Sequence, residues 1–214
     1  ANWPADCPRL YVTGDRAYPT VEILADNCTV TTWRVGVPEP EAGPRASPFA
    51  VPSPASVLSE RRAYVYTYTN RLGEEGAPSW PGNEFEIDDG TATTVTGFSV
   101  PSAEWGVESI NIYRRATGFI NDTDPVEAPS TDWFLVASVP VGTASWIDTL
   151  PNMELGPALG TRDFMPPPAG LRGVTEISGS STLVGFVGNT LRFCANGQPW
   201  NWPEPQVLTL DDKV

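Results

Sequence analysis

Apolar and polar residues alternate along this chain in short bursts, and proline or glycine separates one burst from the next. The run Arg62-Ala-Tyr-Val-Tyr-Thr-Tyr-Thr69 is the clearest case. In an extended strand it puts Tyr64, Tyr66 and Tyr68 on one face and Ala63, Val65 and Thr67 on the other. Glu84-Phe-Glu-Ile87 alternates in the same way, and Asp88-Asp-Gly90 turns the chain. Thr93–Phe98, Glu108–Arg114, Trp133–Val139 and Ala144–Asp148 continue the series of short strands. No window of a dozen residues holds a helical period.

About six or seven short strands over 62–150 are the expectation for an immunoglobulin- or fibronectin-like β-sandwich. Before it, Arg9–Thr13, Thr20–Leu24 and Thr29–Val35 are rich in β-branched residues and predict three strands. Between these and the sandwich, prolines recur every two to four residues from Gly36 to Pro54. That stretch predicts an extended, semi-rigid connector. A second Pro/Gly connector spans 150–170 and ends in Met165-Pro-Pro-Pro168. Thr182–Val187, Gly188-Asn189 and Thr190–Cys194 then predict a two-residue hairpin, with glycine supplying the positive φ of a type II′ turn. Gln206–Leu210 is a last strand.

The predicted class is therefore all-β. Residues 1–57 form an N-terminal β arm and Pro-rich linker, 58–150 the sandwich and 151–169 a linker. Residues 170–214 form a C-terminal hairpin segment that packs with 9–35. The sandwich is then an insertion between strands of a second β platform. The opening Ala1-Asn2-Trp3-Pro4 and the halt at Val214 read as a processed product or a fragment.

Composition narrows the chemistry. The chain has 214 residues and no histidine, which removes Ser-His and Cys-His catalysis and the commonest zinc ligand. Its 26 acidic residues outnumber 13 basic ones, for a net charge of −13. A surface built to hold nucleic acid or anionic membrane has the opposite sign. Cys7, Cys28 and Cys194 show neither a disulfide framework nor a metal spacing. No apolar run has the length of a membrane span, and no secretory segment opens the chain. There is no phosphate-cradling Gly-Lys loop and no Gly-x-Ser-x-Gly elbow. We expect no catalytic residue, no cofactor and no metal site, hence not an enzyme.

Several residues remain as candidates with two readings each. Trp200 and Trp202 project to one face if extended, either onto a sugar or neighbouring subunit or into the chain's own core. Tyr64, Tyr66 and Tyr68 are either a core ladder or a subunit contact. Arg114 and Arg115 point to opposite faces of one strand, as surface ion pairs or as a phosphate clamp. Asp88, Asp89, Asp211 and Asp212 are solvated turn and end residues or part of an acidic lining. Asn121-Asp-Thr-Asp124 clusters oxygens, as a calcium loop does, but lacks the EF-hand continuation; a solvated loop is the other reading. Asn27-Cys-Thr29 and Asn121-Asp-Thr123 are formal glycosylation sequons.

Taken in order, the motifs resemble tail-tube and nozzle proteins of tailed bacteriophages. Leu10-Tyr-Val-Thr-Gly-Asp15 and Trp33-Arg-Val-Gly-Val-Pro-Glu-Pro40 are similar to that family's arm. Tyr64-Val-Tyr-Thr-Tyr-Thr-Asn-Arg-Leu-Gly-Glu-Glu-Gly-Ala-Pro-Ser79 is similar to the opening of its fibronectin-like module. Ile112-Tyr-Arg-Arg115, Phe134–Val139 and Trp146-Ile-Asp-Thr149 resemble its later strands. Met165–Gly173, Val184–Phe193 and Trp200-Asn-Trp-Pro203 resemble the start of a propeller-like platform, truncated here. Cys194-Ala-Asn-Gly-Gln-Pro199 departs from the family's turn. The resemblance implies a virion structural protein of the tail nozzle, tube or adaptor region, assembled in the bacterial host cytoplasm. It implies a homo-oligomeric ring, a hexamer in the family, beside neighbouring tail and adaptor proteins, with DNA only as passing cargo and no membrane span. A fibronectin-like module that binds carbohydrate or protein outside the cell is the alternative, and a carbohydrate-active enzyme a third reading.

Overall fold

The computed structural model describes residues 10–12, 20–24, 30–49, 59–88, 91–120 and 132–210. Among them the chain is all-β, every strand pairing is antiparallel, and the helical elements are two short 3-10 turns, Ala103–Trp105 and Asn152–Glu154. The arm is a meander of β1 (Leu10–Val12), β2 (Thr20–Leu24) and β3 (Val30–Arg34). The central module contains β4 (Arg45–Pro48), β5 (Ser59–Asn70), β6 (Phe85–Asp88), β7 (Thr93–Thr96), β8 (Val107–Ile120), β9 (Phe134–Pro140) and β10 (Ser145–Asp148). It makes one sheet in the order β4-β7-β10 and another in the order β6-β5-β8-β9. β11 (Arg172–Glu176), β12 (Leu183–Val187), β13 (Thr190–Phe193) and β14 (Val207–Thr209) form a C-terminal meander. Its β11 runs near β1 of the arm.

The two sheets of the module share one apolar layer. Tyr64, Tyr66 and Tyr68 of β5 pack there with Ile110 and Ile112 of β8, Val95 of β7 and Ala46 of β4. These tyrosines are 0 %, 0 % and 2 % exposed, so they form core and present no surface to a neighbour. Buried phenols need partners. The Tyr64 hydroxyl donates to Asp148 Oδ2 at 2.7 Å. Those of Tyr66 and Tyr68 converge on Ser99 Oγ at 2.8 and 2.6 Å. The Tyr66 ring meets Tyr68 and Phe98 edge to face, with centroids 5.7 and 5.3 Å away.

The described part of the connector expected over 36–54, residues 36–49, is built into the module. Residues 45–48 form β4, whose outer side is held by Asn83. The Asn83 side chain accepts from the Ala46 N–H at 2.9 Å and donates to the Ala46 carbonyl at 2.8 Å. Ahead of it, Val35, Val37, Pro40 and Pro44 are buried. Val37, Gly43 and Pro44 lie against a second Pro-rich run, 76–82, which follows the edge of β5. The N–H groups of Gly76, Ser79 and Gly82 donate to the carbonyls of Tyr68, Tyr66 and Tyr64. Pro78 and Pro81, which have no N–H, fall between those donors. The two runs approach so closely that a Cβ on Gly82 would stand 2.2 Å from the Pro44 carbonyl oxygen.

The connector expected over 150–170 also carries ladder bonds. Leu135 N–H donates to Pro157 O, Gly156 N–H to Leu135 O and Leu159 N–H to Trp133 O. These bonds cover the edge of β9 at its start. Leu159 joins Ala63, Val65, Tyr113, Trp133 and Leu135 in a cluster on the outer side of that sheet. Further along, β11 was not anticipated, because Arg172-Gly-Val-Thr-Glu176 shows only a weak alternation.

Glu60, Arg62, Arg114 and Asp148 are enclosed in the module as one network. Arg114 is 0 % exposed and donates to Asp148 Oδ2 at 2.6 Å, to Leu150 O at 2.9 Å and to Asn152 Oδ1 at 2.8 Å. Arg62 pairs with Glu60 and donates to Thr91 O at 3.0 Å and Thr93 Oγ1 at 3.2 Å. Asn152 donates to the other oxygen of Glu60, which joins the two pairs. The reading of both arginines as surface pairs is therefore corrected for Arg114. Arg115, on the opposite face, is partly exposed, 3.3 Å from Glu84 and over the Trp133 ring.

Removing one partner of a buried pair leaves a charge uncompensated, at about 3–5 kcal/mol. Asp148→Ala should therefore lower unfolding free energy by that order in urea titration, and the double variant Arg114→Met/Asp148→Leu should lose less. Burial first, and then neighbouring carboxylates or phenols, hold the Tyr64, Tyr68 and Tyr113 phenols well above their ordinary value. The unfolded chain releases these protons near pH 10, before the folded chain does. Stability should be level below about pH 10 and fall above it, by about 1.4 kcal/mol per pH unit for each retained proton. Urea midpoints measured between pH 8 and 12 check this.

Candidate interaction surfaces

The predicted hairpin forms at the expected place. Val187 pairs with Thr190 across Gly188 and Asn189, and Gly188 has φ 60°. From this turn the register sorts the C-terminal sheet into two faces. One face holds Leu183 and Cys194, which pack with Leu171 and Trp202 and with the partly buried Val174 and Val187. The Leu183 N–H donates to Cys194 Sγ at 3.0 Å, and burial pushes that thiol's pKa up.

The opposite face is also apolar. Val184 stands opposite Phe193, Phe186 opposite Leu191, and Leu191 opposite Leu208. Antiparallel partners share a face. None of these five belongs to a core cluster of the chain, and Phe186 and Leu208 are 36 % and 52 % exposed. Strands β12, β13 and β14 contain no aspartate or glutamate, although the chain has 26. A sheet with apolar residues on both faces is normally covered on both.

The tryptophan pair divides. The segment around it is not extended, because Pro199 and Trp200 lie in a turn. Trp202 is 4 % exposed and its indole N–H donates to Pro199 O at 2.8 Å. Trp200 is half-buried. The two indoles therefore do not make a paired platform for a sugar. Next to them, Asn201 and Trp202 secure the end of the second connector: Met165 N–H donates to Asn201 Oδ1 at 3.2 Å, and Trp202 N–H to Met165 O at 2.8 Å.

An open cleft of about 450 Å³ lies where this connector meets the module. Ala77, Pro78, Phe164 and Met165 give it apolar walls, and Glu39, Asp163, Glu204 and Arg162 add charge. Its lining contains no serine, threonine or cysteine to serve as a nucleophile. Among the described residues, no group of three histidine, cysteine, aspartate or glutamate side chains stands where it could hold a metal ion. No helix among them is long and apolar enough to cross a membrane. Asp88 is exposed at the end of β6. Asp89, Asp211, Asp212, Cys7, Cys28, Asn27 and Asn121–Asp124 lie outside the described residues.

The apolar outer face was present in the sequence as Leu191, Phe193 and Leu208, but only the pairing register places them beside Val184 and Phe186. The comparisons with known proteins add no neighbour: no family model, no curated protein and no solved structure matches the chain.

The geometry at Cys194 generates a direct check. Its thiol should resist iodoacetamide in the native protein and become labelled as urea unfolds the C-terminal sheet. Peptide mapping at that residue reads the outcome.

Proposed function

We propose that this chain is a structural component of a bacteriophage tail, in its nozzle, tube or adaptor region, where copies assemble into a ring around the DNA-ejection channel. The observation that carries this reading is the apolar, acid-free outer face of β12–β14 on a chain of net charge −13. Copies so strongly charged repel one another over most of their surface. An apolar face without carboxylates can seat on a different patch of the next copy, and closed rings are built from such head-to-tail contacts.

Other features support the same reading. The order β6-β5-β8-β9 matches C′-C-F-G of an immunoglobulin-type sandwich, and β4 beside β7 matches B beside E. In this reading β10, the last strand, occupies the place that strand D takes in constant domains. The C-terminal meander corresponds to one blade of a propeller-like platform. Gly36, where the chain enters the module, packs against Pro167, where it leaves. Adjacent ends are what an inserted module needs. Rigid modules held by proline-rich runs suit a part that bears force and performs no chemistry. A predominantly acidic surface lets duplex DNA pass without the adhesion that lysine and arginine would create.

Light scattering on the purified chain tests the assembly. The expected result is a mass several times that of one chain. Phe186→Glu and Leu208→Glu should each reduce it to a single chain with the strand content unchanged by circular dichroism. A wild-type chain that stays single at every concentration, or variants that assemble normally, would count against the reading. Density for the chain within an intact tail places it directly.

A further inference from the structure

The arm meets the module through a reciprocal pair of arginine–tryptophan contacts. Trp33 and Arg34 close β3, and two loops of the module receive them. The guanidinium of Arg71, in the turn after β5, lies 4.5 Å from the centre of the Trp33 ring. That of Arg34 lies 5.2 Å from the centre of the Trp105 ring and 2.9 Å from Glu104. Each side thus contributes one cation and one indole. The receiving loops are joined to each other, since Arg71 N–H donates to the Gly106 carbonyl at 3.1 Å. Gly106 has φ 61°, and a Cβ there would come within 2.7 Å of Trp33 Cδ1. The gap left between these groups is about 10 Å³, too small to admit a ligand.

Trp33, Arg34 and Trp105 are half-buried and Arg71 is exposed. These four described side chains are therefore less enclosed than the core of the module. Local openings occur where buried contacts are sparse. We propose that this stack is a latch: it holds the end of β3 against the module and releases it while the module stays folded. The end of β3 therefore has a docked and an undocked state, and the two cation–ring contacts set the balance between them.

Hydrogen exchange on the full chain tests the latch. In the wild type, amides of Val30–Arg34 should exchange faster than those in the centres of β5 and β8. Arg71→Ala and Trp105→Ala should each accelerate exchange at Val30–Arg34 by about tenfold, with β5 and β8 unchanged. Arg71→Lys, which keeps a cation over the ring, should restore most of the protection. Gly106→Ala approaches the latch from the other side and should also accelerate exchange there. Unchanged exchange at Val30–Arg34 in both alanine variants overturns the proposal. So does an acceleration that spreads equally to β5 and β8, because the stack would then belong to the module's global stability.

Discussion

The module is organised around charges that cannot reach water. Glu60, Arg62, Arg114 and Asp148 are each at most 3 % exposed, and a charge at such depth is tolerated only when it is paired and its hydrogen bonds are filled. This constraint reaches well beyond the four residues. Asp148 lies at the end of β10, Arg114 in β8, Tyr64 and Arg62 in β5 and Thr93 in β7, so satisfying the charges fixes both sheets relative to each other. Asn152 brings the 3-10 turn after β10 into the same network. Apolar packing between the sheets would tolerate small slips, but a network of directed bonds does not.

The proline-rich runs follow a second accounting rule: backbone donors and acceptors must find partners when buried. Proline is poor at this because it lacks a donor. Along 76–82 the chain resolves the difficulty by spacing its donors three apart, so that the prolines fall between the bonds to β5. Along 156–159 the backbone covers the edge of β9 at its start. Both runs thus shield strand edges that would otherwise be open to another chain. These proline-rich stretches are thus seams of the module.

These two rules leave a contrast between interior and surface. The module pairs its buried charges and shields parts of its strand edges. The C-terminal sheet keeps an apolar face open, and the arm is attached by half-exposed rings and cations. The most enclosed contacts therefore lie in the middle of the chain, with more exposed ones at its two flanks.

Local pattern alone determined much of this. Alternation located β5 and the first half of β8, an apolar run located β9, and Gly188-Asn189 identified the hairpin, because period and turn chemistry are properties of neighbouring residues. The absence of histidine and the sign of the net charge were equally legible. Tertiary structure decided everything that depends on partners far away in the chain. Arg114 and Arg115 are neighbours of the same type, yet one meets Asp148 inside the module and the other Glu84 at the surface. The Tyr64 phenol finds its acceptor 84 residues further on. Proline spacing could not reveal that 36–44 and 76–82 lie against each other, nor could Trp33 and Trp105 announce their arginines. Strand propensity is encoded within a few residues, whereas burial, pairing and exposure are fixed only when separate segments meet.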